Sequence, residues 1–323
     1  MKPWLFILVG LVSLALPAAL RAQTSEELTA QDLRLAAISD AMLVANAHLC
    51  RDTMPVTGMI LHSADQYGAE VQSLFESGPL AISAVVPGSP AATAGLLGGD
   101  IITAINGASV DSLVPEGDEQ LRETAFFVLA EYPAGEPIVL QIDRAGQPQA
   151  VSFRSPRGCR SLVEIRVADG PDAQSNGRII QLQYDFAASL SDQQIAVALA
   201  HELAHSVLEH RRRKEAEGID NGSIMRHVGR NQQVNRKAEV EADRLSVHLM
   251  ANAGYDPAII AQFWRSPEGI RAGGGSMPSW VYPSQGARAD IVSREIAMYL
   301  PLRQGPTWPG HLIEQRDRPL SGD

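Results

Sequence analysis

One short run in this 323-residue chain, His201-Glu202-Leu203-Ala204-His205, holds two imidazoles and a carboxyl group at a spacing suited to metal chemistry. Residues four apart on an α-helix share a face, so His201 and His205 can aim at one point. Neutral imidazole is a good zinc ligand, and a neighbouring carboxylate can take a proton from a zinc-bound water. Glu202 lies about 100° round the helix, within reach of such a water but poorly placed as a third ligand. The expectation is one Zn2+ per chain, with Glu202 as general base. The competing reading is a pair of core histidines satisfied by hydrogen bonds.

The elements that must position these groups are legible nearby. Ser191 and Gln194 form a capping box, and Ile195 to Ala204 is apolar nearly all round, which predicts a buried helix. Buried histidines and a glutamate are costly unless something pairs with them. The helix is expected to run on to Gly218, with Arg211 to Lys214 as a solvated, dipole-compatible end and His210 solvated on another face. Leu162 to Val167 and Arg178 to Tyr184 read as strands. The second leads through Ser189 into the helix, where an edge strand could take up extended substrate.

A third ligand decides between the two readings. A third histidine in an HExxHxxGxxH pattern is ruled out, because the matching positions are Leu208 and Arg211. A glutamate on a later helix is available instead. Arg236 to Arg244 opens a helix towards Ala251 in which Glu239 and Asp243, at i and i+4, face the same way. Glu239 can complete the metal site, and Asp243 can hold the other nitrogen of a ligating histidine. Val240, Leu245, Val247 and Leu249 give that helix a buried face, against the alternative of Glu239 and Glu241 in water.

HExxH followed by this ExxAD helix resembles the gluzincin metallopeptidases of the HtpX-like and CAAX prenyl protease-like family, over roughly residues 160 to 300. The resemblance implies a zincin-like helical domain with a small β-sheet, zinc on His201, His205 and Glu239, and Glu202 as base. Many soluble relatives carry a His-Pro segment after the second helix. Here Tyr282-Pro283 stands in its place, followed by Arg288. Tyr282 or Arg288 is expected near the zinc as an oxyanion stabiliser, with packing of Tyr282 as the alternative. Gly273-Gly274-Gly275 marks an expected lid.

Upstream, residues 24 to 49 have a helical apolar pattern and are expected to pack on the later domain. Ser89-Pro90-Ala91-Ala92 starts a short helix and Gly95 ends it. Ile101 to Ile105 is a strand, and Asn106-Gly107 is a hairpin turn. An amphipathic helix over 117–132 and a closing hairpin around Arg144 to Gln147 follow. This order resembles a PDZ domain of the bacterial protease-associated type. It implies a groove that takes up an extended peptide, with Thr57-Gly58-Met59-Ile60 as the carboxylate-binding stretch.

Met1-Lys2-Pro3, an apolar run from Trp4 to Leu16, and small residues to Ala22 read as a signal peptide, too short to span a membrane. No other membrane span is read. Export to the periplasm or beyond makes a Cys50–Cys159 disulfide the expectation, with two buried free thiols as the alternative. The net charge of −10 argues against nucleic acid as a partner.

The reading is an α+β protein: signal peptide 1–22, helical segment 23–57, inserted β-barrel-like PDZ domain 58–157, and zinc metallopeptidase domain 158–323. Its expected substrates are exported or misfolded proteins, and a second peptide would occupy the PDZ groove. The alternative function is a non-proteolytic zinc-containing chaperone or scaffold acting through the PDZ domain.

Overall fold

The computed structural model describes residues 18–167, 170–219, 229–273, 283–301 and 303–321; most of the expected signal peptide therefore lies outside the described residues. Helix α1 (Ala18–Ala45) buries Leu35, Ile38, Met42 and Leu43 at helical spacing. These side chains join an apolar core built chiefly from residues after Cys159, so the N-terminal helix packs on the second half of the chain. Arg34 fastens it by donating to the Leu190 carbonyl at 2.6 Å and pairing with Asp192 at 2.6 Å.

The intervening module runs through β1 (Thr53–Pro55), β2 (Met59–Ser63), β3 (Leu80–Val85), α2 (Pro90–Thr93), β4 (Ile101–Ile105), β5 (Ala108–Ser109), α3 (Leu121–Ala130), β6 (Pro137–Arg144), β7 (Gln147–Arg154) and β8 (Arg157–Cys159). Its main sheet has the order β2-β3-β4-β6-β7, with β5 paired to β4. Two tight turns have the positive φ angles that two-residue hairpins require: Asn106 at 47° with Gly107 at 84°, and Ala145 at 52° with Gly146 at 79°. Ser89 caps α2 by accepting from the Ala92 amide at 3.2 Å. Gly58 has φ +78°, and a Cβ there would lie 2.1 Å from that of Ser89, so only glycine fits. The helix expected over 117–132 is shorter, because Gly117 takes φ +59° in the preceding loop and Gln120 is still extended. Leu80, Ile82, Ile102, Ile138 and Leu140 close a separate core against Ala125 and Leu129 of α3.

The module leaves and rejoins the chain at one neck. Strands β1 and β8 pair antiparallel there, with Thr53 opposite Cys159, and the Cys50–Cys159 disulfide lies beside them.

After the neck come β9 (Leu162–Arg166), β10 (Ala173–Ser175), β11 (Ile179–Gln183), α4 (Tyr184–Ser189), α5 (Asp192–Val207), α6 (His210–Ala216), α7 (Gly229–Asn252), α8 (Ala258–Phe263), α9 (Pro267–Ala272), α10 (Gln285–Tyr299) and α11 (Gly310–Ile313). The sheet order is β10-β11-β9, with β9 parallel to β11 and β10 antiparallel to it. The strand nearest α5 in sequence is therefore central. The edge beside α5 belongs to β10, an element the apolar pattern did not reveal. Nor does β11 feed directly into α5. The Gln183 side chain accepts from the Phe186 amide at 2.9 Å and starts α4 in between.

Helix α5 begins at the capping box. Ser191 Oγ accepts from the Gln194 amide at 3.3 Å, and Gln194 Oε1 accepts from the Ser191 amide at 2.9 Å. Ile195, Val197, Leu199 and Leu203 are almost fully buried, each contributing about 1.5–3 kcal/mol. The helix does not continue to Gly218. Glu209 sits at φ +52°, which breaks the chain between α5 and α6. That reversal turns His210 and Arg213 inward, and both are buried, correcting the expectation of a solvated end. Arg211 and Arg212 stay exposed.

Among the described residues, no helix is long and apolar enough to cross a membrane. The disulfide spans a sequence separation of 109 residues. Reduction is therefore expected to lower stability by about 4–5 kcal/mol through the entropy of the unfolded chain, read as an earlier midpoint in urea unfolding.

Candidate metal centre

Helices α5 and α7 bring three of the expected residues to one point. His201 Nε2 and His205 Nε2 lie 3.2 Å apart. The Glu239 carboxylate is 3.2 Å from His201 Nε2 and 3.6 Å from His205 Nε2. A tetrahedral ion with nitrogen and oxygen ligands near 2.0–2.1 Å separates its ligand atoms by about 3.3 Å. The donor set and its spacing therefore fit zinc. The three side chains line a cleft of about 570 Å³ together with Glu202, Lys214 and Trp264, and β10 forms one wall through Ser175.

The nitrogen facing away from this point is tied down on each ring. His201 Nδ1 donates to Asp243 Oδ1 at 3.2 Å, which in the neutral ring leaves the lone pair on Nε2. For His205 the tie is indirect. Glu241 is held by Arg213 at 2.7 Å and faces His210 Nε2 at 3.1 Å. An ionised carboxylate only accepts, so His210 Nε2 carries the proton and its Nδ1 is an acceptor. That atom stands 2.8 Å from His205 Nδ1, which must donate, and the His205 Nε2 lone pair then faces Glu239. The partners thus select, on both rings, the tautomer that a metal needs.

The titration behaviour follows the same geometry. Burial opposes a charge on His201, but the Asp243 and Glu239 bonds outweigh it and hold that ring up at about 9. Burial pushes His205 well below the usual histidine range. Burial also opposes ionisation of Glu239, yet His205 and the His201 bond keep it below the usual carboxylate range. Glu202 is raised to about 7, first by burial and further by Glu239. That is the range in which a carboxyl group exchanges protons near neutral pH.

Arg288 lies on the first turn of α10, where Ser284 caps the helix by accepting from the Ala287 amide at 3.3 Å. Its Nε and Nη2 both donate to Asp243 at 2.7 Å, and its guanidinium stacks 3.4 Å from the Trp264 ring centre. It is 3.8 Å from Glu239. Arg288 is therefore inside the centre, with its fork turned to the carboxylate behind His201. Tyr282 and the lid glycines Gly274 and Gly275 lie outside the described residues. Sequence reasoning missed the His210–Glu241–Arg213 relay, Lys214 and Trp264. No short-range spacing signals the relay, because Glu239 and Glu241, two apart, point to different faces of α7.

A second cavity, of about 590 Å³, lies where β2 and α3 of the inserted module face α1 and β9. Residues 57–60 line it, and Arg122 of α3 reaches across to Glu164 of β9 at 2.5 Å.

A PDZ domain model matches residues 81–116. Over 193 residues the chain is 26% identical to mitochondrial metalloendopeptidase OMA1 of Bos taurus, covering 49% of this chain and 35% of that protein. The chain thus spans about a third of the length of this curated relative. The HtrA-type protease AlgW with a decapeptide, a solved structure, aligns at 21% identity with a TM-score of 0.26, covering 32% of this chain and 30% of that one. The chain carries a PDZ domain and is similar over about half its length to a metalloendopeptidase.

Asp243→Asn is expected to weaken zinc binding about 10–100-fold, because it removes the partner that orients His201. Competition against a chromophoric chelator measures this directly.

Proposed function

We propose that the chain is a zinc-dependent endopeptidase of the HtpX-like gluzincin type. The observation that carries this reading is the convergence of two imidazoles and one carboxylate beside Glu202 in a cleft walled by a strand edge. Similarity to a metalloendopeptidase supports it. Zinc bound by His201, His205 and Glu239 would supply a Lewis acid and a water acidified towards neutral pH.

The chain's own residues divide the remaining work. Glu202 takes the proton of the attacking water and returns it to the leaving amine. The free edge of β10 receives the substrate backbone as an added strand. Arg288 acts as a positioning residue that holds Asp243 against His201, and Tyr282 is the proposed oxyanion donor. The PDZ groove between β2 and α3 docks the substrate or a regulatory peptide. Export, cleavage of a signal peptide near Ala22, and misfolded envelope proteins as substrates complete the proposal.

Glu202→Gln is expected to lower turnover of unfolded casein about 10²–10⁴-fold while zinc content stays at the wild-type level. Wild-type activity should vanish with chelator. Undiminished casein digestion by Glu202→Gln would refute the proposal in favour of a contaminating or different catalyst.

A further inference from the structure

Further along α7, His248 meets Glu295 of α10 and His311 of α11. His248 Nε2 lies 3.1 Å from Glu295 Oε1, and His311 Nε2 lies 2.7 Å from the same oxygen. The other oxygen, Oε2, accepts from Arg244 Nε at 2.6 Å, so only Oε1 faces the two rings. The three facing atoms all lie within 4.8 Å of one another. His248 and Glu295 are buried, while His311 is half-buried.

A chain of polar side chains runs from α1 to His248. Asn46 Nδ2 donates to the carbonyls of Met42 at 2.9 Å and Leu249 at 3.1 Å, so Asn46 presents Oδ1 to Asn252 Nδ2 at 3.0 Å. Asn252 Oδ1 is then the acceptor for the Thr307 amide at 2.7 Å and the Thr307 hydroxyl at 3.1 Å. A hydroxyl has one proton, so Thr307 Oγ1 donates either to Asn252 Oδ1 or to His248 Nδ1, 3.1 Å away. When the hydroxyl proton goes to Asn252, His248 Nδ1 donates and its Nε2 lone pair faces a carboxylate oxygen, an arrangement that a positive centre between them relieves.

We propose that this centre is a divalent transition-metal ion, and that His248, Glu295 and His311 form a second metal site. Two imidazoles and one carboxylate form the donor set suited to zinc and its neighbours in the first transition row. The two histidine-to-Glu295 contacts need open by only a few tenths of an ångström to reach the ligand spacing of about 3.3 Å that such an ion requires, with the two imidazoles adjusting about it. The half-buried His311 on short α11 is the group best able to move. The ion ties α11 to α7 and α10, a structural role independent of the peptidase reading.

The test uses the full chain, stripped with chelator and refilled with Zn2+ alone. His311→Ala should hold one equivalent fewer than wild type, whatever the first centre holds. In the Glu239→Gln variant, added Zn2+ should still raise the melting temperature in proportion to the logarithm of its concentration, and adding His311→Ala should abolish that rise. His311 is half-exposed, which favours an intact fold. Thr307→Val offers a second check, because it leaves all three ligands in place and weakens only the last equivalent. Equal zinc content and equal melting response with and without His311 would overturn the proposal, leaving His248 and His311 as hydrogen-bond partners of Glu295 alone.

Discussion

Two buried imidazoles and a carboxylate survive in an apolar helix pair only if every polar atom facing away from their meeting point is matched, and the domain is built around that matching. Behind each of the two converging imidazoles stands a carboxylate held by an arginine. For His201 the pair is Asp243 with Arg288, in direct contact. For His205 it is Glu241 with Arg213, acting through His210. A buried ion pair recovers its desolvation cost only with good geometry and further hydrogen bonds. Here the geometry is a two-bond fork on Asp243, and the further bonds go to the histidines. The arginines keep the carboxylates ionised, the carboxylates fix the tautomers, and the tautomers leave both Nε2 lone pairs free to bind.

This requirement accounts for features of the fold that look incidental in isolation. The break at Glu209 brings His210 and Arg213 back against α5 and α7. The serine cap of α10 sets Arg288 in the first turn of its helix, where the fork reaches Asp243. The inserted module hangs from a neck closed by a two-stranded ladder and a disulfide, and the cavity lined by its β2 and α3 is lined also by α1 and β9.

Much of this was legible in the sequence, where each signal was local. The capping box, the two positive-φ hairpin turns, and the i, i+4 pairs His201/His205 and Glu239/Asp243 are short-range patterns with a physical meaning at fixed spacing. What stayed hidden depends on long-range closure. An unbroken apolar and basic pattern through 192–218 gives no sign that Glu209 will adopt a left-handed conformation. A run of arginines and lysine reads as solvent-facing until its partner, Glu241, arrives from a helix about thirty residues on. Strand β10 is too short and too polar to announce itself. Its place at the sheet edge follows only from the parallel pairing of β9 with β11.

The central claim is that α5 and α7 hold one ion between them. Diffraction from zinc-loaded crystals at the zinc absorption edge tests it most directly. The account predicts an anomalous peak about 2.0–2.2 Å from His201 Nε2, His205 Nε2 and a Glu239 carboxylate oxygen, with one further position open to the cleft. A zinc-loaded crystal with no peak at that point, or with Glu239 turned away from it, would contradict the account.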